Sequence, residues 1–343
     1  MRQLLNTLYV TSHGAYLAKD GETIVVRHDG ETKLQVPVHT LGSVVCFGGV
    51  GFSPAVLGLC ADNGVAVSFL TEGGKFLARM HGPVSGNVLL RREQYRRADD
   101  LAAAAEIARV IVAAKVNNSR GVLLRALRDH PDCAGATDLS SAGERLERVL
   151  HRLEQTSPLD SVRGLEGEAA QIYFSVFDHL IVAQKDGFRF AGRNRRPPLD
   201  SVNALLSFLY TLLRHDVAAA LEGVGLDPAV GFLHRDRPGR PGLALDLMEE
   251  MRPILADRLA LSLINRQQVK ADGFEVTESG AVTMSDATRK EVLVAYQKRK
   301  QEEIQHPFLE EKIETGLIPH VQSLLLARQL RGELDAYPPM IWK

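Results

Sequence analysis

Acidic and histidine side chains stand in glycine- or proline-containing segments at three places in the C-terminal two thirds of the chain. Glu166 is in the first, His234 opens a loop with three arginines, and Asp246 precedes Glu249 and Glu250 at helical spacing. Asp246 shares a helical face with both glutamates, and three like charges so close repel one another. A divalent cation would remove that penalty, and Mg²⁺ or Mn²⁺ takes oxygen ligands with an occasional histidine. These residue types predict metal-assisted phosphodiester chemistry; on spacing alone, a solvated acidic helix face is the alternative.

The surroundings of Glu166 bear on the same prediction. It follows Leu165, and the apolar stripe of that segment continues through Ala169 and Ile172. We therefore expect Glu166 to face a neighbouring element more than open water. A partly buried carboxylate needs a cation or a strong hydrogen-bond donor to stay ionised.

The elements that must position these side chains begin after a β-rich segment of about 80 residues. Its short runs are separated by Asp20-Gly21, Asp29-Gly30 and Gly73-Gly74, dipeptides that favour hairpins. Ser53-Pro54 predicts one short helix, with serine as the N-cap and proline in the first turn. Residues 1–80 are therefore predicted to form a small N-terminal antiparallel β domain.

Residues 81–90 are the predicted linker, and residues 91–343 the larger, mostly α-helical catalytic domain, which gives an α+β fold class. Apolar residues recur with helical period beyond the linker. Helices are predicted near 101–127, 143–155, 160–183, 201–221, 243–266, 284–304 and 308–331. Between the third and fourth of these, residues 187–199 are predicted to be an extended basic loop, with a helix stop before Pro197.

Composition excludes several classes of protein. With 45% hydrophobic and 24% charged residues, the chain is expected to fold rather than to stay disordered. Cys46, Cys60 and Cys133 form no C-x-x-C pair, which predicts reduced thiols in a cytoplasmic protein. No signal-peptide core follows Met1. The uncharged residues 41–61 contain five glycines and a proline, which favours strand, turn and short helix over a membrane span.

Positive charge is concentrated in two regions, although the whole chain carries a net charge of −1. Residues 91–128 hold eight arginines and one lysine against four acidic residues, a net charge of +5. Residues 189–240 hold eight arginines against five acidic residues, a net charge of +3. The planar guanidinium group of arginine suits phosphate. The alternative is a solvated surface with ion pairs.

Four motifs in order carry a family resemblance. They are Leu165-Glu166-Gly167, Arg196-Pro197-Pro198 with Asn203-Ala204-Leu205, Gly231-Phe232-Leu233-His234, and Leu245-Asp246-Leu247-Met248-Glu249 with Arg252-Pro253. Over essentially its whole length the chain resembles the CRISPR-associated integrase family, the metal-dependent endonucleases that acquire new spacers in antiviral defence.

The resemblance implies a metal site for Mg²⁺ or Mn²⁺ with Glu166, His234 and Glu249 as ligands. Asp246 matches an auxiliary catalytic acid. Many relatives have aspartate where this chain has Glu249, one methylene longer, so Glu250 is an alternative ligand. The implied phosphate contacts, which would position DNA without reading its bases, are Arg91, Arg92, Arg96, Arg97, Lys115, Arg193, Arg195 and Arg196, with Arg235, Arg237 and Arg240 flanking His234.

The resemblance also implies how the protein acts. Two homodimers would flank a dimer of a small CRISPR-associated partner protein in a larger complex on double-stranded DNA, without a membrane. The 3′ hydroxyl of a short foreign fragment would attack a phosphodiester of the CRISPR array. Two alternatives stay open: a stand-alone, structure-specific, metal-dependent DNA repair nuclease, and a non-catalytic DNA-binding scaffold. Trp342, in the apolar C-terminal tail, is either a docking element or a packed terminus, and packing on the protein's own surface is the favoured prediction.

Overall fold

The computed structural model describes residues 6–80, 82, 88–194 and 197–342. Two four-stranded sheets form the N-terminal part, with one helix between the sixth and seventh strands along the chain. The strands are β1 (Asn6–Val10), β2 (Tyr16–Asp20), β3 (Thr23–His28), β4 (Glu31–Pro37), β5 (Leu41–Phe47), β6 (Gly51–Phe52), β7 (Ala66–Leu70) and β8 (Phe76–Arg79), and the helix is α1 (Pro54–Asp62).

The predicted hairpins are confirmed. β2 pairs with β3, β3 with β4, and β7 with β8, all antiparallel. Asp29 and Gly30 have φ angles of 54° and 77°, the paired positive values that suit a tight hairpin turn. Ser53 caps α1 by accepting a hydrogen bond from the amide of Val56 at 3.3 Å.

The expectation of a wholly antiparallel β domain was wrong, because the domain is mixed. One sheet has the order β1-β5-β7-β8 and the other β4-β3-β2-β6. β5 is parallel to both β1 and β7, and β2 is parallel to β6. The connection from β5 to β7 passes through α1, and a crossover of this length delivers the next strand in the parallel direction. Residues 41–61 form β5, β6 and most of α1, as predicted in place of a membrane span.

Helices dominate the rest of the chain, which confirms the fold class. They are α2 (Val88–Asp99), α3 (Leu101–Asp129), α4 (Ala136–Leu153), α5 (Leu159–Ser175), α6 (Ser201–Gly223), α7 (Gly242–Glu249), α8 (Arg258–Asn265), α9 (Asp286–Gln301) and α10 (Ile318–Leu330). Two short antiparallel hairpins interrupt them, β9 (Phe274–Val276) with β10 (Val282–Met284), and β11 (Glu303–Gln305) with β12 (Lys312–Glu314).

Several predicted boundaries moved. α2 begins at Val88, inside the predicted linker, of which residues 81 and 83–87 lie outside the described part of the chain. The predicted helix 243–266 is divided into α7, a π-helical turn over Arg252–Asp257, and α8. Pro253 has no amide hydrogen for the α-helical pattern, which accounts for the change at this point. The predicted helix 308–331 begins only at Ile318, because β11 and β12 precede it.

α6 joins the β-rich part to the helical part. The ring of Phe208 in α6 packs against the ring of Phe47 in β5, with ring centroids 5.8 Å apart. His215 Nδ1 lies 3.0 Å from Ser68 Oγ of β7, and both side chains are buried. Among the described helices α6 alone is long and apolar enough to cross a membrane, but 67% of the relevant window is buried inside the protein. It is therefore explained as a core helix.

Candidate active site

Three helices bring an amine and two carboxylates together. Lys115 projects from α3, Glu166 from α5, and Glu249 from the last residue of α7. Lys115 Nζ contacts Glu166 Oε1 and lies 2.7 Å from Glu249 Oε2. The side chains of Lys115 and Glu249 are 9% and 2% exposed, whereas Glu166 is 27% exposed and reaches the surface. Two of the three predicted metal ligands thus converge on one cation.

The buried carboxylate and the buried amine of this cluster are both charged. Burial alone would raise the pKa of Glu249, but the guanidinium of Arg252 and the ammonium of Lys115 outweigh it and lower that pKa to about 2. Arg252 Nη1 lies 2.8 Å from Glu249 Oε1. Burial opposes the charge of Lys115, yet the carboxylates of Glu249 and Glu166 raise the pKa of its amine. The cluster is therefore a network of ion pairs with little exposure to water.

His234 is held beside this cluster by Asp246. Asp246 Oδ1 lies 2.6 Å from His234 Nδ1 and accepts the amide hydrogen of His234 at 2.9 Å. Asp246 Oδ2 accepts the amide hydrogens of Phe232 and Leu233 at 2.6 and 2.9 Å. Asp246 is fully buried, and these four contacts occupy both of its oxygens. It therefore orients His234 and does not itself face an ion.

The other imidazole nitrogen of His234, Nε2, is available to bind a ligand. Within residues 6–80, 82, 88–194 and 197–342, no hydrogen-bond partner contacts His234 Nε2. Its ring is near enough to Glu249 for a positive charge on it to lower the pKa of that carboxyl. A carboxylate that fixes one histidine nitrogen and leaves the other open is the usual support of a metal-binding histidine.

The loop before α7 needs glycine to reach this geometry. A Cβ on Gly231 would lie 2.5 Å from Asp246 Oδ2 and 2.7 Å from the carbonyl carbon of Gly242. Arg163 of α5 donates from Nε to the carbonyl of Leu233 at 2.6 Å, one turn before Glu166. The same helix therefore fixes both the loop that carries His234 and the carboxylate of Glu166.

The donor set fits a hard divalent cation in its chemistry. Glu166 and Glu249 already surround a positive charge, and His234, which is near enough to influence the pKa of Glu249, offers Nε2 as a nitrogen donor. In the described part of the chain, no three histidine, cysteine, aspartate or glutamate side chains are grouped closely enough to hold an ion. The ammonium of Lys115 separates the two carboxylates instead. Glu166, His234 and Glu249 would hold a metal once that amine moved aside.

Glu250 points away from the site, so the expectation that it could replace Glu249 as a ligand was wrong. Glu250 Oε1 accepts hydrogen bonds from the hydroxyl of Tyr337 at 2.5 Å and from Gln322 Nε2 at 3.1 Å, while Oε2 accepts the amide hydrogen of Met340 at 3.0 Å. Burial raises the pKa of Glu250 to about 7. Neighbouring residues on a helix face about 100° apart, which sends Glu249 and Glu250 to different surroundings.

Asn118 completes a clasp around the C-terminal tail. Its amide donates to the carbonyls of Glu250 and Met340 at 2.7 and 2.8 Å, and its oxygen accepts the amide hydrogen of Trp342 at 2.8 Å. The guanidinium of Arg258 lies 4.1 Å from the centre of the Trp342 ring, which confirms that this residue packs on the protein. Spacing in the sequence carries no signal for the clasp, because its partners lie more than 80 residues apart.

Two of the predicted phosphate contacts have internal roles. Lys115, predicted to contact phosphate, is instead buried in the acid cluster on α3. Arg193 donates from Nη1 to Asn203 Oδ1 at 2.6 Å and from Nη2 to Ser207 Oγ at 3.2 Å. Its guanidinium also lies 5.2 Å from the ring centre of Tyr210. Arg193 thus ties the basic loop to α6.

The other predicted arginines differ in exposure. Those exposed to solvent are Arg92, Arg96, Arg235 and Arg237. Those that are partly buried are Arg91, Arg97 and Arg240. Arg91 donates to the carbonyl of Gly225 at 3.1 Å, and Arg97 pairs with Glu93 at 3.0 Å. Arg195 and Arg196 lie outside the described residues. Arg235 pairs with the exposed Asp160 at 3.1 Å, and Arg237 is exposed in the same loop as His234. These two arginines form the exposed basic surface next to His234 in the sequence.

Comparison with known proteins bears on the fold and the family. Residues 8–298 match the family model described as CRISPR associated protein Cas1. The chain is 54% identical over 343 residues to the protein named CRISPR-associated endonuclease Cas1 1 of Chlorobaculum tepidum, with all of both chains covered.

Solved structures share the fold. A casposase bound to integration product has a TM-score of 0.83 and 23% identity, with 96% of this chain and 92% of that chain covered. A Cas6-RT-Cas1–Cas2 complex has a TM-score of 0.82 and 22% identity, with 99% of this chain and 36% of that chain covered. With the family match over most of the chain and the 54% identity over all of it, the chain belongs to the Cas1 family of CRISPR-associated proteins, as the four ordered motifs indicated.

Proposed function

We propose that this protein is a metal-dependent DNA endonuclease and integrase that inserts short foreign fragments into a CRISPR array as new spacers. The observation that carries the proposal is the convergence of Glu166 and Glu249 on one cation beside the oriented imidazole of His234. A relative of 54% identity is named an endonuclease, and a casposase bound to integration product shares the fold, which supports the same activity.

The residues of the chain have distinct roles in this proposal. Glu166, His234 and Glu249 would hold Mg²⁺ or Mn²⁺, which when bound polarises a phosphate oxygen and stabilises the charge that develops on it. Asp246 keeps the Nδ1 of His234 engaged, which leaves Nε2 for the ion. Arg252 keeps Glu249 ionised and fixes one of its oxygens.

Integration is a transesterification. The 3′ hydroxyl oxygen of the fragment attacks the phosphorus of a phosphodiester, a new P–O bond forms, and the bond to the 3′ oxygen of the displaced strand breaks. The proton lost by the attacking hydroxyl is balanced by the proton gained by the leaving oxygen. With water as the nucleophile, the same site would cut DNA without joining it.

The proposed partners are double-stranded DNA, a second copy of the chain, and a dimer of the small CRISPR-associated protein Cas2. A complex that contains Cas1 and Cas2 has the same fold in its Cas1 part, which supports the assembly. We place the protein in the cytoplasm, where the DNA is. Its three cysteines are free thiols, which supports that location. Burial raises the pKa of the Cys46 thiol to about 12.

The test is strand transfer of a labelled short duplex into a supercoiled plasmid with a leader and a repeat. The Cas2-type partner is present, and Mn²⁺ is compared with EDTA. We expect joining with Mn²⁺, none with EDTA, and loss of joining in His234→Ala. His151→Ala is the control, because the side chain of His151 is 67% exposed and its ion pair is with Glu154, which is not part of the cluster.

Two other results would contradict the integrase proposal. Metal-dependent cutting without joining would identify a stand-alone nuclease. DNA binding by the folded protein without any metal-dependent chemistry would identify a scaffold.

A further inference from the structure

We propose that Lys115 is a built-in counter-cation that keeps the divalent ion out of the site until a DNA phosphate arrives, so that the metal and the DNA bind cooperatively. The inference rests on the proposed metal site and adds a residue that controls when the site is loaded.

The contacts of Lys115 give the first step. Its ammonium contacts Glu166 Oε1 and lies 2.7 Å from Glu249 Oε2. These are two of the three side chains that would hold the ion. A metal–oxygen bond to Mg²⁺ is about 2.1 Å long, so the ion and the ammonium cannot both occupy the space between the carboxylates. The amine must leave before the metal enters.

The charges give the second step. The two carboxylates of Glu166 and Glu249 are balanced by the two cations of Lys115 and Arg252, so the cluster is already neutral. Because the ion must take the place of the ammonium, its two positive charges would leave this cluster with one uncompensated positive charge. Burial of unpaired charge is costly, because the interior screens it poorly. The cluster therefore resists the ion for as long as the ammonium stays in place.

A phosphate resolves both problems. The lysine side chain is a flexible four-carbon stem that ends in three donors, and Glu166 beside it reaches the surface. A phosphate oxygen at the surface gives the ammonium a new anionic partner and adds negative charge next to the ion. If DNA makes metal binding easier, the metal must make DNA binding tighter by the same factor.

A second buried lysine provides a matched control. Lys300 Nζ lies 3.0 Å from Asp216 Oδ2, and these side chains are 10% and 13% exposed. Like Lys115, Lys300 is a buried amine paired with a carboxylate. It is remote from Glu166, His234 and Glu249 in all of its described contacts. Removing Lys300 tests whether the loss of any buried lysine changes metal binding.

The experiment is a Mn²⁺ titration of the whole protein, followed by the electron paramagnetic resonance signal of the free ion. The proteins are the parent chain, Lys115→Met, Lys115→Arg and Lys300→Met, each with and without a duplex that lacks a 3′ hydroxyl. Without DNA, we expect Lys115→Met to bind Mn²⁺ at least tenfold more tightly than the parent, Lys115→Arg and Lys300→Met. With DNA, we expect the parent to gain at least tenfold and Lys115→Met to gain much less.

The site of the added binding is checked by the double variant Lys115→Met, Glu249→Gln, in which the gain should disappear. Equal Mn²⁺ affinity of the parent and Lys115→Met without DNA would overturn the inference. Equal Mn²⁺ affinity of the parent chain with and without DNA would also overturn it. That comparison uses the parent chain alone and does not depend on the folding of a variant.

This outcome is separable from that of the proposed function. If the parent joins DNA but Lys115→Met shows no gain in Mn²⁺ affinity, the role proposed for Lys115 is wrong and the integrase function is supported. If the gain appears but the parent never joins DNA, the role of Lys115 is supported and the integrase function is wrong.

Discussion

Asp246 illustrates how one side chain can organise a site without facing the reaction. Asp246→Asn would place an amide NH₂ against backbone N–H groups that now donate to a carboxylate. We expect His234 to lose its fixed orientation and joining activity to fall by about 10- to 100-fold, the usual range for such supporting residues. Joining rates and Mn²⁺ affinity, measured on the same preparations, check this.

The control is Asp236→Asn. Asp236 is exposed and lies in the same loop as His234. Its replacement should change neither quantity. If Asp246→Asn kept the parent's Mn²⁺ affinity and rate, Asp246 would not be positioning His234.

Residue types singled out Glu166, His234 and the acidic residues that follow Asp246, and the family resemblance selected Glu166, His234 and Glu249 as ligands. The structure brings Glu166 and Glu249 into contact with one cation. Sequence could not place Lys115 in that group, because its partners are 51 and 134 positions away. It could not separate Glu249 from Glu250 either. Adjacent glutamates look equivalent until their neighbours are known, and the neighbours of Glu250 are Gln322 and Tyr337.

At the scale of elements, the C-terminal tail is a structural part of the helical domain. In Tyr337→Phe the buried carboxyl of Glu250 would lose its shortest hydrogen bond, at 2.5 Å. Gln322 would still donate to the same oxygen, so we expect the free energy of unfolding to fall by about 1–3 kcal/mol, the usual contribution of one hydrogen bond to a carboxyl group. Urea unfolding followed by circular dichroism measures it.

Tyr95→Phe is the matched control for that change. Tyr95 also donates to a carboxylate, Asp227 Oδ2 at 2.8 Å, but its ring is exposed at the surface. Water can replace that hydrogen bond, so the destabilisation should be well below that of Tyr337→Phe. Equal destabilisation of the two variants would mean that burial of Glu250 does not matter.

Helices with a strong apolar period were predictable to within a few residues, as α3 and α6 show. The π-helical turn was not, because Pro253 only weakens the expected hydrogen bonds and packing decides what replaces them. There Arg252 lies over the ring of Tyr210 at 4.9 Å, and Tyr210 donates to Asp257 at 2.6 Å. Parallel pairing of β5 with β7 likewise depends on where α1 packs, which turn residues do not encode.

For the molecule as a whole, His215 predicts sensitivity to acid. Burial lowers the pKa of His215 from 6.5 to about 4. Above pH 6.5 the ring is neutral in both the folded and the unfolded chain. Between pH 6.5 and 4 the unfolded chain gains a proton that the folded chain resists, so stability falls by up to about 1.4 kcal/mol per pH unit.

His215→Gln should flatten this dependence, whereas the exposed His13→Gln should not. The difference between the variants is the informative quantity. Burial also raises the pKa of Asp257 to about 6 and that of Glu250 to about 7, and those carboxyls contribute the opposite slope. Urea unfolding of each protein at pH 7 and pH 5 gives the dependence of its stability on pH. Parallel curves for the parent chain and His215→Gln would refute the assignment.

The basic surface predicts a salt effect on DNA binding. Replacing Arg92, Arg235 and Arg237 by alanine should weaken binding to all duplex sequences alike. The slope of log K against log salt should fall by about 0.9 for each phosphate group that the variant no longer neutralises. A variant without Arg128, Arg145 and Arg148, which are also exposed, removes the same charge and is the control. The control variant should keep the parent's salt slope. If the variant without Arg92, Arg235 and Arg237 also kept it, the assigned phosphate-binding arginines would be wrong.

Charge counts located that surface only coarsely. They could not show that Arg193 uses its guanidinium on Asn203 and Ser207, because an internal partner leaves no mark on local composition. The exposed arginines emerge only once the partly buried ones are set aside, and even Arg235 pairs with the exposed Asp160.

The shared packing around α6 bears on whether the two parts of the chain can be treated as modules. Val45, Phe47 and Leu70 of the β-rich part belong to the same apolar core as the helices. A fragment cut off after residue 80 would carry these side chains into water, and apolar faces of that kind promote aggregation. Exchange of the β-rich part between relatives would therefore need matching changes in α6. The boundary that is plain in composition is not a place where the chain can be recombined freely.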